Sequence, residues 1–139
     1  MTARFDPDEK IQKIAEAYAL DAVDFAAEQH RIVLDWSDGS VRDVEIILDA
    51  LYKSKPKSVS TELIMQFAKM FGSYIGETYR RSRNPAAKWG MADWDGSRFV
   101  AISSGGMDEA FWPWGRVKER LENGAEDNVW HYYEFALPK

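Results

Sequence analysis

Cysteine is absent from this chain, histidine occurs twice, and no apolar run is both long and free of charge. Without cysteine there can be no disulfide framework and no thiolate metal site. The two histidines, His30 and His131, lie about a hundred residues apart, so nothing has the spacing of a metal-ligand cluster. The short apolar runs exclude a membrane-spanning helix of the usual length. The N-terminal stretch MTARFDPDEK lacks the apolar centre of a secretory signal, and a protein kept in the cytoplasm is expected. A glycine-rich phosphate loop, a P-loop and a nucleophile elbow are also missing. No catalytic residue, cofactor site or metal site is therefore assigned, and a non-enzymatic protein is expected.

What is present is the composition of a folded domain. Of 139 residues, 45% are hydrophobic and 29% charged, the size and balance of one domain spanning residues 1–139. The net charge of −5 is unevenly spread: residues 1–52 sum to −7, residues 53–90 to +6 and residues 91–139 to −4. The overall sign disfavours a nucleic-acid partner. Acidic and basic segments are expected to lie partly against each other in the fold.

Hydrophobic spacing sets out the elements. A helix is predicted from Asp6 as N-cap and Pro7 as first residue, with Ile11, Ile14, Tyr18, Ala22, Phe25 and Ala26 as its buried stripe. RIVLDW, rich in β-branched and aromatic residues, predicts a strand over Arg31–Trp36 that stops at Asp38-Gly39. Ser40 and Asp43 have the spacing of a capping box for a second helix ending near Tyr52. A third helix is predicted from Ser60 to about Tyr79. Two strands, Lys88–Trp94 and Arg98–Ser103, are joined by Asp95-Gly96, a strong hairpin signal. A fourth helix, from Pro113 to Glu122, closes at Asn123-Gly124, and a last one covers about Asp127 to Phe135. The sum is an α+β fold: a small, mostly antiparallel sheet of about three strands packed by about five helices.

Two features go beyond fold class. Gly72 and Gly76 sit four residues apart within the third helix, where each costs about 1 kcal/mol relative to alanine. Close approach of another backbone or ring is the expected compensation, with Glu77 pairing Arg80 or Arg81. In addition, five of six tryptophans fall between residues 89 and 130, and EAFWPWGR sets three aromatic rings around one proline. Not all can turn inward, so Trp112 and Trp114, with Asp108 and Glu109 beside them, are candidates for partner binding.

The segments LDWSDGSVRDVEIILDAL, GSYIGETYRR, the following Trp89 and FWPWGRVKERLENGAED together resemble a pattern in small uncharacterised bacterial single-domain proteins. There an L-D-x-S-x-x-S motif opens a helix, G-x-Y-x-G-E lies in the next, and a proline-aromatic segment leads into a closing helix. Asp35, Ser40, Gly72, Tyr74, Gly76, Glu77 and Trp89 match this pattern, which Ser73 departs from, alanine being more usual there. The resemblance implies structural roles for these residues. Some proteins of this kind resemble immunity proteins of antibacterial toxins, which implies a protein that binds and neutralises a cognate toxin. From a different class comes a small-molecule-binding or enzymatic domain, with a pocket at the Gly72/Gly76 face lined by Tyr74, Glu77 and Trp89. A third expectation is a subunit of a larger assembly.

Overall fold

A computed structural model describes residues 2–138. Its elements run β1 (Ala3–Pro7), α1 (Glu9–His30), α2 (Ser40–Ser54), α3 (Thr61–Ser82), β2 (Lys88–Trp94), β3 (Ser97–Ser103), α4 (Pro113–Asn123) and α5 (Val129–His131). A single-turn π-helix, Tyr132–Ala136, continues directly from α5. The strands form one antiparallel sheet in the order β1-β2-β3, and the α+β class is as the sequence implies.

The hairpin forms as predicted. Asp95 (φ 51°) and Gly96 (φ 90°) both take the left-handed conformation that a tight two-residue turn needs. On one face of the sheet, Trp89 and Ile102 enter the main core under the helices. On the other face, Phe5, Ala92 and Ala101 form a small separate cluster covered by Phe99, Met107 and Ala110.

Two elements differ from expectation at the N-terminal end. Residues 3–7 form an edge strand, and the helix N-cap is Asp8, not Asp6; its carboxylate accepts from the amides of Lys10 (2.8 Å) and Ile11 (3.3 Å). Pro7 closes the strand at the sheet edge, where its missing N–H costs no ladder bond. Conversely, Arg31–Trp36 is not a strand. Arg31 caps α1 with a φ of 55° and Trp36 has a φ of 67°, so the segment is bounded by two left-handed residues and finds no neighbouring strand. Its apolar residues act singly: Leu34 is buried, whereas Val33 is 78% exposed.

The buried stripe of α1 is also shifted. Ala15, Ala19, Ala22 and Ala26 are fully buried, while Ile14 is 48% exposed. Their 4-3-4 spacing makes a face of small side chains on which α3 packs closely, with Tyr18 and Phe25 at its flank. Phe25 meets Phe67 and Phe71 of α3 edge-on, at 5.2 and 5.9 Å between ring centroids. Finally, α2 begins at Ser40 without a capping box, because Ser40 is itself buried and its hydroxyl is committed elsewhere.

Candidate functional site

The motif residues assemble into two structural knots. In the first, the Asp35 carboxylate accepts from the amide (3.1 Å) and hydroxyl (2.6 Å) of Ser37, a local turn that holds this carboxyl below its usual range. The Ser37 hydroxyl in turn accepts from the Ser40 amide at 3.2 Å, doing the capping that Ser40 was expected to do. The Ser40 hydroxyl donates to the Ser37 carbonyl and lies 2.6 Å from the Tyr74 hydroxyl. Having one proton each, Ser40 donates to Ser37 and Tyr74 donates to Ser40. Tyr74 also accepts from the Trp36 amide at 2.8 Å, and burial raises its pKa. Trp36 is thereby held in a backbone conformation that costs a bulky residue about 1–3 kcal/mol. Its ring stacks on Tyr74 at 4.7 Å and carries the Arg81 guanidinium at 3.7 Å, while its carbonyl accepts from Ser82.

The second knot explains the glycines. A Cβ at Gly76 would strike the Trp89 ring, and one at Gly72 would lie 2.8 Å from the Pro113 carbonyl oxygen and from the Trp114 backbone. The groove they leave is filled by the chain itself, by Trp89 and by the start of α4. Glu77, 1% exposed, accepts from the Trp89 indole N–H at 2.8 Å and from Arg80 at 2.9 and 3.2 Å, with Arg81 at 3.8 Å. Its charge is therefore compensated in place. At the two glycines the space expected for a ligand is occupied by the Trp89 ring and by the backbone of Pro113 and Trp114. A cavity of about 360 Å³ reaches Trp89 from the start of α1, lined by Asp8, Gln12, Arg80 and Lys88, and Glu77 does not line it.

With the motif residues committed to the fold, the aromatic surface around Trp112 is the better candidate. Two open basins of about 360 and 390 Å³ lie on either side of a ridge formed by Phe99, Trp112 and Gly115. Trp112 is half-buried, and its ring lies 5.1 Å from Phe99. One basin continues to Tyr132, which carries the Arg116 guanidinium at 4.3 Å; burial pushes the Tyr132 hydroxyl up to about 12. The other reaches Arg98, Lys69 and Trp114. Pro113 fixes the start of α4 between Trp112, the residue before the helix, and Trp114, and both line the second basin.

The structure separates the four residues expected at this surface. Trp114 is a packing residue as well as a surface one: its indole N–H donates to Ser73 at 2.8 Å, and its ring meets Tyr18 edge-on at 6.1 Å. The departure at Ser73 thus supplies a hydrogen-bond acceptor that alanine would lack. Asp108 and Glu109 are exposed on the short turn Met107–Glu109, a few residues ahead of Trp112, and Met107 and Phe99 both pack on the small cluster of Phe5, Ala92 and Ala101. Glu109 accepts from Ser104 at 2.8 Å. Phe99, Tyr132, Arg98 and Arg116 also belong to the surface, although sequence reasoning does not select them. Phe99 was findable, since the hairpin register places it opposite Ala92, on the face that does not carry Trp89 and Ile102 into the main core.

Among the described residues no group of three or more His, Asp or Glu side chains could hold a metal ion, and no helix is long and apolar enough to cross a membrane. The chain matches no family model, no curated protein and no solved structure.

Proposed function

We propose that this chain is a non-catalytic cytoplasmic binding protein of the immunity type, which recognises a cognate toxin domain through the ridge of Phe99 and Trp112. The observation that carries this reading is the contrast between the two groups of residues. Glu77, the most buried carboxylate of the motifs, is consumed by Trp89 and Arg80, whereas Trp112 keeps a partly open ring between two open basins. Half-exposed aromatics with neighbouring arginines are the residue types that dominate binding energy at protein interfaces. Open basins suit a protein surface better than an engulfed small molecule, which favours an enclosed pocket.

Electrostatics supports a basic partner. Asp21, Asp24 and Glu28 on α1 have no ion-pair partner among the described residues, and Asp108 and Glu109 are exposed a few residues ahead of Trp112. Such unpaired charge speeds encounter with a positively charged surface, and the aromatic anchor slows release. The test is affinity capture of the tagged full chain from its own host, with mass spectrometry of what co-purifies in near-equal amount. One toxin-like protein, released by Trp112→Ala and weakened by Asp108→Lys, is the expected result. A clean preparation without a partner overturns the reading, as does capture that Trp112→Ala leaves intact.

A further inference from the structure

A third surface belongs neither to the motif knots nor to the Trp112 ridge. Between the end of α2 and the start of α3 runs a groove of about 180 Å³, walled by Leu51, Val59, Leu63, Ile64, Phe67 and Leu121. Leu63 is 47% exposed there, although it stands on the same helix as fully buried Phe71 and Ala68. The fold thus leaves an apolar wall uncovered, with Leu121 of α4 at its floor. Its volume slightly exceeds the roughly 150 Å³ that admits a benzene-sized guest and falls below the roughly 300 Å³ at which drug-sized sites begin. One short alkyl chain or one ring is the occupant that fits.

The rim gives the sign of the occupant's charge. Lys55 lines the groove, its ammonium 5.1 Å from the centre of the Tyr52 ring, and neither Lys55 nor Lys57 has a carboxylate partner among the described residues. Lys53, by contrast, is paired with Asp49 at 2.8 Å, and the Asp49 carboxylate also accepts from Arg120 at 2.7 Å, so that acid is not free to neutralise the rim. No Asp or Glu is among the residues lining the groove. The Ser54 hydroxyl is a further polar group in its wall, its bond to the Leu51 carbonyl being long at 3.4 Å. An apolar slot with a lysine in its wall, free of any carboxylate and able to swing from the Tyr52 ring, matches one ligand chemistry, a chain with a negative head.

The geometry points to a binding site for a small amphiphilic carboxylate, with its alkyl chain between Leu63, Phe67 and Leu121 and its head group on Lys55. The carboxylate replaces the water around the lysine and gains a charge-assisted hydrogen bond, and the chain covers the exposed side of Leu63. The site is separate from the Trp112 ridge and does not depend on the reading given above.

The test is titration of the full chain with sodium octanoate, followed by methyl NMR shifts of the leucines and isoleucines, alongside octylammonium at the same concentrations. Saturable one-to-one shifts centred on Leu51, Leu63, Ile64 and Leu121 are expected, with octylammonium at least tenfold weaker. Lys55→Glu should weaken octanoate at least tenfold and remove or reverse the preference over octylammonium. Leu63→Asp, at an exposed position, should abolish binding while the melting temperature stays close to that of the parent. The proposal is overturned by unsaturable shifts, by equal response to both head groups, by shifts centred near Trp112, or by a sedimentation result showing that a second copy of the chain already covers the groove.

Discussion

At the scale of single residues, the helix glycines are explained by what a methyl group would meet. Alanine at position 72 would gain about 1 kcal/mol of helix propensity. It would also press against backbone atoms of Pro113 and Trp114 at 2.8 Å, which cannot rotate away as a side-chain end can. Overpacking of this kind costs about 1–3 kcal/mol, and here it requires α4 to shift. Gly72→Ala should therefore lower stability by up to about 2 kcal/mol, read as a lower urea midpoint at unchanged slope. A rise in midpoint would mean that α4 is not seated as described. The same reasoning separates the two tryptophans of the ridge. Trp112→Ala removes a half-open ring with no hydrogen bond to lose and should shift the melting temperature only slightly. Trp114→Ala empties the space against Tyr18 and leaves the Ser73 hydroxyl without its donor, so its melting temperature should fall clearly.

At the scale of elements, the sequence was legible wherever the signal was local. The hairpin turn, Ser60 as the cap of α3 and Gly124 as the end of α4 each depend on a few adjacent residues whose chemistry admits one conformation. It was misleading where tertiary contacts decide. ARFDP has one buried side chain, Phe5, and becomes a strand only because β2 offers its edge. RIVLDW has strand composition but no strand to pair with, and its residues serve instead to anchor a loop against Tyr74. The alanine face of α1 is hard to see in sequence because hydrophobic pattern gives weight to large side chains, whereas close helix packing selects small ones. In the candidate surface, the tryptophans were visible as types, but Tyr132, Arg98 and Arg116 join them only through folding.

One contact between elements is invisible in the sequence and testable in the fold. Arg120 of α4 is fully buried, and its guanidinium donates to Glu45 at 2.8 and 3.0 Å and to Asp49 at 2.7 Å, both on α2. Glu45 also accepts from the Val129 amide at the start of α5, so three helices meet on one carboxylate. Hydrogen bonding to Glu45, more than to Asp49, raises the pKa of Arg120. Removing one partner of such a pair leaves a buried charge uncompensated, at a cost of about 3–5 kcal/mol. Arg120→Leu should show that loss in chemical denaturation. Glu45→Leu added to it should return a large part of it, because the stranded carboxylate is gone. If the double variant is as unstable as the sum of the singles, the contact does not act as a coupled pair.

For the whole molecule, charge segregation along the chain is partly resolved in space. Arg83 from the basic segment pairs with Asp38 and with Glu134, one from each acidic segment, and Lys53 pairs with Asp49. Hydrogen bonds from Ser37 hold the Asp35 carboxyl below the ordinary aspartate value of 3.8, and those from Lys53 and Arg120 do the same for Asp49. The stability these two acids contribute is present above that pH and is lost as acid titrates them in the folded state. An alkaline limb arises from two tyrosines. Burial raises Tyr132 from 10.0 to about 12, and it raises Tyr133 as well, helped by the hydrogen bond its hydroxyl donates to Asp38. Below pH 10 both folded and unfolded chains keep these protons, and stability is independent of them. Between the unfolded and folded values the unfolded chain releases protons that the folded chain retains, so stability falls as pH rises. Tyr132 alone accounts for a loss of roughly 2–3 kcal/mol by the time its folded pKa is reached, since each pH unit between the two values is worth about 1.4 kcal/mol. Denaturant unfolding measured between about pH 9 and 12 should therefore weaken steeply above pH 10, in step with the absorbance of tyrosinate. Tyr132→Phe is the informative variant, since the Tyr132 hydroxyl has no hydrogen-bond partner among the described residues, whereas Tyr133→Phe also removes the bond to Asp38. The Tyr132→Phe protein should lose about one proton's worth of pH slope. An unchanged slope would mean that the ring is open to solvent at high pH, and the basin between Phe99 and Tyr132 would then be wider in solution than the structure describes.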